Sequence, residues 1–313
     1  MIHRKLADSR DTRGHAPLND PEARPHRRSF SLKTQIIIAF ILYAICVSMI
    51  GWLVWKQITT NHQLSENARR VHESVQQWKP PRAEDAVRDA RAYNQQLFAE
   101  GRTVLGEAVN PFDAQRERQA ASIASKDSQY QDLLNMDSEG MLARLRVPSV
   151  SIDIPVYHGA AQSTLLRGAG HIYGTSLPVG GKNTHAVIAA HSGVVDASFF
   201  TRLHELKPGD LFIVQTMKEE LAYQVTDIVK VLPDDSSHYG IAADEDRVTL
   251  MTCTPIGINT FRLLVSGERT AMPADSLERE DDGVSMIVIS ILGALIVAAI
   301  VARVWIRKRK GSP

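Results

Sequence analysis

Cysteine is nearly absent from this chain: there are two in 313 residues, Cys46 and Cys253. Cys46 falls inside an apolar run, so Cys253 has no partner for an intramolecular disulfide in the polar part of the chain, and a disulfide-stapled fold is excluded. Charge of one sign is also lacking, because 36 Lys and Arg against 35 Asp and Glu leave a formal net charge of +1. Nothing in that balance suggests nucleic-acid binding. No Gly-x-Ser-x-Gly is present, no glycine-rich phosphate loop, no His-Glu-x-x-His pair and no internal repeat. A serine elbow, a nucleotide site and a zinc site of the usual spacings are therefore not expected, and the sequence calls for no cofactor.

Long hydrophobic runs, by contrast, are present. Residues 36–55 (IIIAFILYAICVSMIGWLVW) and 284–302 (VSMIVISILGALIVAAIVA) are uncharged over 20 and 19 positions. Each is long enough to cross a bilayer as a helix. The first exceeds the apolar length of a signal peptide and is followed by no small-x-small cleavage site, so it reads as an uncleaved anchor. Arg24, Arg27, Arg28 and Lys33 precede it, and Arg303, Arg307, Lys308, Arg309 and Lys310 close the second. Basic flanks stay in the cytoplasm. The expected topology is two spans with both termini cytoplasmic and residues 56–283 outside the cell membrane, the lipid bilayer being the first partner.

Between the runs the pattern changes twice. Residues 56–100 read as a helical hairpin, with Leu64, Val71, Val75 and Trp78 on one face, a break at Pro80-Pro81, and a second face through Val87, Ala90, Asn94 and Leu97. Residues 101–140 keep no period and form a long connecting segment. From Met141 the chain turns to short branched runs such as "AVIAAHSG", "RVTLMTC" and "FRLLVSGERT", cut by Gly, Pro, Asn and Asp. Such spacing predicts an all-β barrel or sandwich of about 130 residues.

The chemistry left open by these exclusions is Cys with His. A thiolate attacks a carbonyl, an imidazole moves protons and a fixed cation offsets the charge of a tetrahedral intermediate. Eight histidines lie between the two runs: His62, His72, His158, His171, His185, His191, His204 and His238. His191 ends "AVIAAHSG", where a buried strand meets a glycine turn and a side chain projects at a rim. Spacing alone leaves a structural histidine there as an alternative, just as Cys253 by count alone could be a buried small hydrophobe.

"TLMTCTPIGINTFRLLVSGER" closely resembles the sortase signature TLxTCTPxGxNTxRLLVxGxR, and the likeness extends upstream through "GAGHIYGTSLPVGG", "HAVIAAHSG", "LHELKPGD" and "YQVTDIVKVLPDD". It covers roughly residues 141–270. The resemblance implies an eight-stranded β-barrel, with Cys253 as nucleophile, His191 as proton-transfer residue and Arg262 as oxyanion or substrate-positioning cation. The long segment before the barrel, its Asn110-Pro111-Phe112 element and the second apolar run are similar to the lid and second span of class C, the pilin-polymerising sortases. Three positions differ from the usual pattern: Asn110 stands for Asp, Ser192 for Arg and Ile256 for Tyr. The activity implied is cleavage of a Leu-Pro-x-Thr-Gly-like signal between Thr and Gly, with transfer of the acyl group to a pilin lysine. A cell-wall precursor amine is the housekeeping alternative, and a non-enzymatic, membrane-tethered binding barrel is the alternative of another class.

Overall fold

The computed structural model describes residues 31–101, 112 and 123–272. The second apolar run, residues 284–302, lies outside them, as do Asn110 and Pro111. By contacts the chain divides into two units, Met1–Ile50 and Gly51–Pro313. In the first, residues 32–50 form the beginning of helix α1 (Leu32–Gln76), which from Ile37 is long and apolar enough to cross a membrane. The expected boundary after residue 55 does not interrupt the helix. Hydropathy drops there, but residues 56–76 contain neither Gly nor Pro, so nothing stops propagation of the backbone hydrogen bonds.

Within the second unit, α1 ends before Pro80-Pro81 and α2 (Arg82–Ala99) follows. Glu84 and Asp85 in its first turn favour the positive end of the helix dipole. Val87, Ala90 and Leu97 are buried along one face together with Asn94. That polar intruder is fully used, since Asn94 Nδ2 donates to Leu177 O at 2.9 Å and Leu177 N–H donates to Asn94 Oδ1 at 2.7 Å. The pair satisfies a buried amide that would otherwise cost about 1–3 kcal/mol.

Eight strands follow: β1 (Met141–Val147), β2 (Ile152–His158), β3 (Ala169–His171), β4 (Thr184–Ala189), β5 (Leu211–Thr216), β6 (Glu219–Val231), β7 (Asp246–Thr254) and β8 (Phe261–Thr270). They close into a barrel in the order β1-β2-β3-β4-β7-β8-β6-β5. The β2–β3 and β4–β7 pairs are parallel, and the others are antiparallel. Side chains alternate between two hydrophobic clusters, as the period of a strand requires. Ala186 and Ile188 of β4, Val248 and Leu250 of β7 and Leu263 and Val265 of β8 join the larger cluster, into which α2 also packs. Their neighbours Val187, Ala189, Met251 and Leu264 turn to the smaller one, with Leu165, Ile172, Val231 and Tyr239.

The segment expected to be a plain connector contributes to the core. In the short helix Ser128–Asp132, capped by Asp127, Tyr130 is wholly buried. Its hydroxyl lies 2.9 Å from His171 Nδ1 and accepts from Gly159 N–H at 3.0 Å.

Candidate active site

The small-cluster face of β4, β7 and β8 ends in three polar side chains. In the antiparallel β7–β8 pair Cys253 is the register partner of Arg262. In the parallel β4–β7 pair Ala189 stands beside Met251, and Ala190 N–H donates to Met251 O at 3.1 Å. His191, Cys253 and Arg262 each lie two residues from a member of the small cluster, namely Ala189, Met251 and Leu264, and so share its face at its far end. The sequence motif thus folds into one transverse row.

Burial sets the electrostatics of that row. Cys253 is 6% exposed and Arg262 4%. Burial pushes the Cys253 thiol above its ordinary range, and the Arg262 charge pulls it back in part. Arg262 is held by the loop before it, with Nη1 donating to Asn259 O at 3.0 Å and to Phe261 O at 3.1 Å. His191 is half-buried, and that burial lowers its pKa, so the neutral ring predominates at neutral pH. Its Nε2 is buried and has no hydrogen-bond partner among the described residues.

Phe112 covers this arrangement. Its ring centroid is 5.5 Å from that of His191 and 5.1 Å from the Arg262 guanidinium carbon. It also packs on the small hydrophobic cluster. One aromatic ring thereby touches the imidazole and the cation together.

Three other histidines have structural surroundings. His185 has Nδ1 2.9 Å from Gly240 O and Nε2 2.7 Å from Thr249 Oγ1. His158 lies between Gly140 O and Leu133 O, and His171 between Tyr130 and Ser176 O. Sequence reasoning missed several residues around the row. Ser192 donates its hydroxyl to Cys253 O at 2.7 Å, and Thr252 donates to Ala190 O at 2.7 Å. Tyr239 is buried with its hydroxyl on Met251 Sδ at 3.3 Å, and burial pushes it up to about 12. Thr252 and Ser192 lie inside stretches singled out in the sequence, but the hydrogen bonds they make follow only from the folded register.

Comparison with known proteins identifies the family. A family model described as a sortase domain matches residues 145–270. The crystal structure of sortase C-1 from Actinomyces oris is 37% identical; this chain covers all of it, using 62% of its own length, with a TM-score of 0.54. The chain belongs to the sortase family. Another solved relative, Clostridium perfringens sortase C with the C-terminal cell wall sorting motif, is 34% identical over 66% of this sortase and 99% of that chain, at a TM-score of 0.54. Among curated proteins, Sortase A of Bacillus anthracis is 29% identical over 168 residues, 52% of this chain and 77% of that one. The structural relatives of this sortase are thus of class C, and its family chemistry is transpeptidation.

Proposed function

We propose that this sortase is a pilin-polymerising transpeptidase anchored in the membrane. The observation that carries the reading is the row itself: a buried thiol paired in register with a buried arginine, with a neutral imidazole on the same face and Phe112 lying on imidazole and guanidinium. Once Phe112 is displaced, the threonine of a Leu-Pro-x-Thr-Gly-like signal enters. Cys253 gives its proton to His191 and its sulfur bonds to the Thr carbonyl carbon. Arg262 faces the oxyanion of the tetrahedral intermediate. The carbon–nitrogen bond to Gly breaks as His191 returns the proton to the leaving amine. The thioester keeps the acyl group reactive. A pilin lysine amine then attacks, gives its proton to His191, and releases Cys253 with formation of an isopeptide bond.

Asn110, Pro111 and Phe112 form the lid in this reading, and Asn110 supplies neutral hydrogen bonds where an Asp would add a charge-assisted one. The second apolar run is the second anchor. Reporter fusions after residues 20 and 313 should then report cytoplasm and one near residue 280 the exterior; an exterior C-terminus would remove the second span. The named curated relative, a Sortase A, favours the housekeeping reading, in which the acceptor is a cell-wall precursor amine. Incubating the chain with a sorting-signal peptide and measuring intact mass tests the shared chemistry. An acyl adduct on Cys253 is expected, and its absence would overturn both readings. Adding lysine-bearing and glycine-bearing acceptors then separates them.

A further inference from the structure

The ladder joining β4 to β7 stops where the chemistry begins. Its last backbone rung is the bond from Ala190 N–H to Met251 O. Beyond that point side chains take over, with Thr252 Oγ1 donating to Ala190 O and Ser192 Oγ donating to Cys253 O, each at 2.7 Å. His191 O accepts instead from Phe200 N–H at 3.0 Å, so the segment 191–200 folds back on itself as a loop. Gly193 turns that loop at φ +72°, and a Cβ there would meet Ile256 Cγ2 at 2.5 Å, which leaves the turn closed against the β7–β8 connection.

The far end of the loop is tied to α1. Asn61 Nδ2 donates to Ser198 Oγ at 2.7 Å, and Ser198 N–H donates to Asn61 Oδ1 at 2.9 Å. Lys56, one turn earlier on α1, lies 2.7 Å from Asp196 in the same loop. That ion pair is exposed and adds little. The two-point amide clasp fixes both position and orientation. The loop that follows His191 thus carries two ties, a one-hydroxyl tie at Ser192 to the nucleophile's own carbonyl and an amide tie at Ser198 to the helix before the barrel.

We propose that Ser192 and Asn61 are positioning residues of this sortase, holding the His191 turn onto Cys253 where the strand ladder no longer does. The proposal rests on the reading of His191 as the proton-transfer group. A positioning role predicts loss in kcat rather than KM, because both side chains are engaged within the protein and act through the placement of His191 when the proton moves. A neutral hydrogen bond lost is worth roughly 2–10-fold, and displacement of a catalytic group by about 1 Å up to roughly 10²-fold.

The test uses the full chain in detergent micelles with two readouts. One is acyl-adduct formation with a sorting-signal peptide; the other is amide hydrogen exchange by mass spectrometry over residues 193–200, which includes the Phe200 N–H bonded to His191 O. Ser192→Ala is expected to lower kcat about 10-fold at unchanged KM and to speed exchange about 10-fold, while Ser192→Thr, which keeps the hydroxyl, restores both. Asn61→Ala is expected to change both in the same direction by about threefold. Unchanged exchange in Ser192→Ala and Asn61→Ala, a loss of kcat without faster exchange, or faster exchange at full kcat would each overturn the proposal. If the wild-type chain forms no adduct, the transpeptidase reading fails, and with it the role assigned to the ties.

Discussion

Two histidines stand on the same face of β4 and its continuation, six residues apart, and the chain treats them in opposite ways. At one end His185 engages both ring nitrogens, and its partner Thr249 is in turn 2.8 Å from Ser266 Oγ. At the other end, about 20 Å away at strand rise, His191 has a buried Nε2 without a hydrogen-bond partner among the described residues, and its ring lies against a phenylalanine. Burial lowers both pKa values, His185 to about 4. The difference is satisfaction. A histidine whose nitrogens are both occupied is a strut, whereas one held neutral with a nitrogen in reserve has capacity for a proton that is not its own.

The comparison breaks most completely at Cys253. Cys253→Ala should abolish adduct formation with a sorting-signal peptide, read by intact mass, while the barrel stays folded. His191→Ala and Arg262→Ala should each lower turnover by roughly 10²–10⁴-fold; wild-type rates in a folded Arg262→Ala protein would remove the cation from the mechanism.

The satisfied histidines are tested by pH. His171 and His185 each have a folded-state pKa near 4 against an ordinary value of 6.5. Between those values the unfolded chain binds protons that the folded chain refuses, so stability rises with pH there. It should be complete above about pH 6.5 and fall as pH drops toward about 4, each histidine removing about 3 kcal/mol. Denaturant titrations at pH 7 and pH 4.5 check this, and equal midpoints would mean that neither ring is held neutral.

Phe112→Ala sharpens the other end. The ring's contact with Arg262 is worth at most about 2 kcal/mol, so its loss should speed alkylation of Cys253 by a small reagent by up to about 30-fold. Asn110→Asp should slow it. Unchanged rates in both variants would mean that residues 110–112 do not guard the thiol. The smallest effect on turnover belongs to His185→Ala. It should leave the chemistry at its wild-type rate while lowering the melting temperature, since the wholly buried Thr249 hydroxyl loses its bond to the ring, worth about 1 kcal/mol.

How much of this was legible beforehand depended on the kind of interaction. The strands were legible because branched runs cut by Gly and Pro repeat along residues 141–270, and the hairpin faces because Val87, Ala90, Asn94 and Leu97 keep a helical period. Cys253 and Arg262 were legible through a local motif whose nine-residue separation folds into one register pair. Tyr130 was not, since it lies in a segment without period and is bound by single hydrogen bonds to His171 and Gly159, far away in sequence. The ties made by Ser192 and Asn61 escaped for the same reason. Residue 55 ends the apolar run but not helix α1, because hydropathy marks where lipid could end, whereas helix termination needs a residue that interrupts the backbone, and none follows until Pro80-Pro81.

The closed ring of eight strands has a consequence for how an extended peptide is read. Among the described residues every strand has a neighbour on both sides over at least part of its length, so no strand offers its whole length as a free edge on which an incoming segment could lie as a ninth strand. Affinity that is indifferent to sequence is thereby limited to short stretches of backbone. What remains are pockets between side chains and the backbone groups of connecting loops, which discriminate residue by residue. The barrel works as a fixed frame, and the vocabulary of signals it accepts is written in its loops, so exchanging the β6–β7 and β7–β8 loops between sortases should move signal preference while leaving the frame intact.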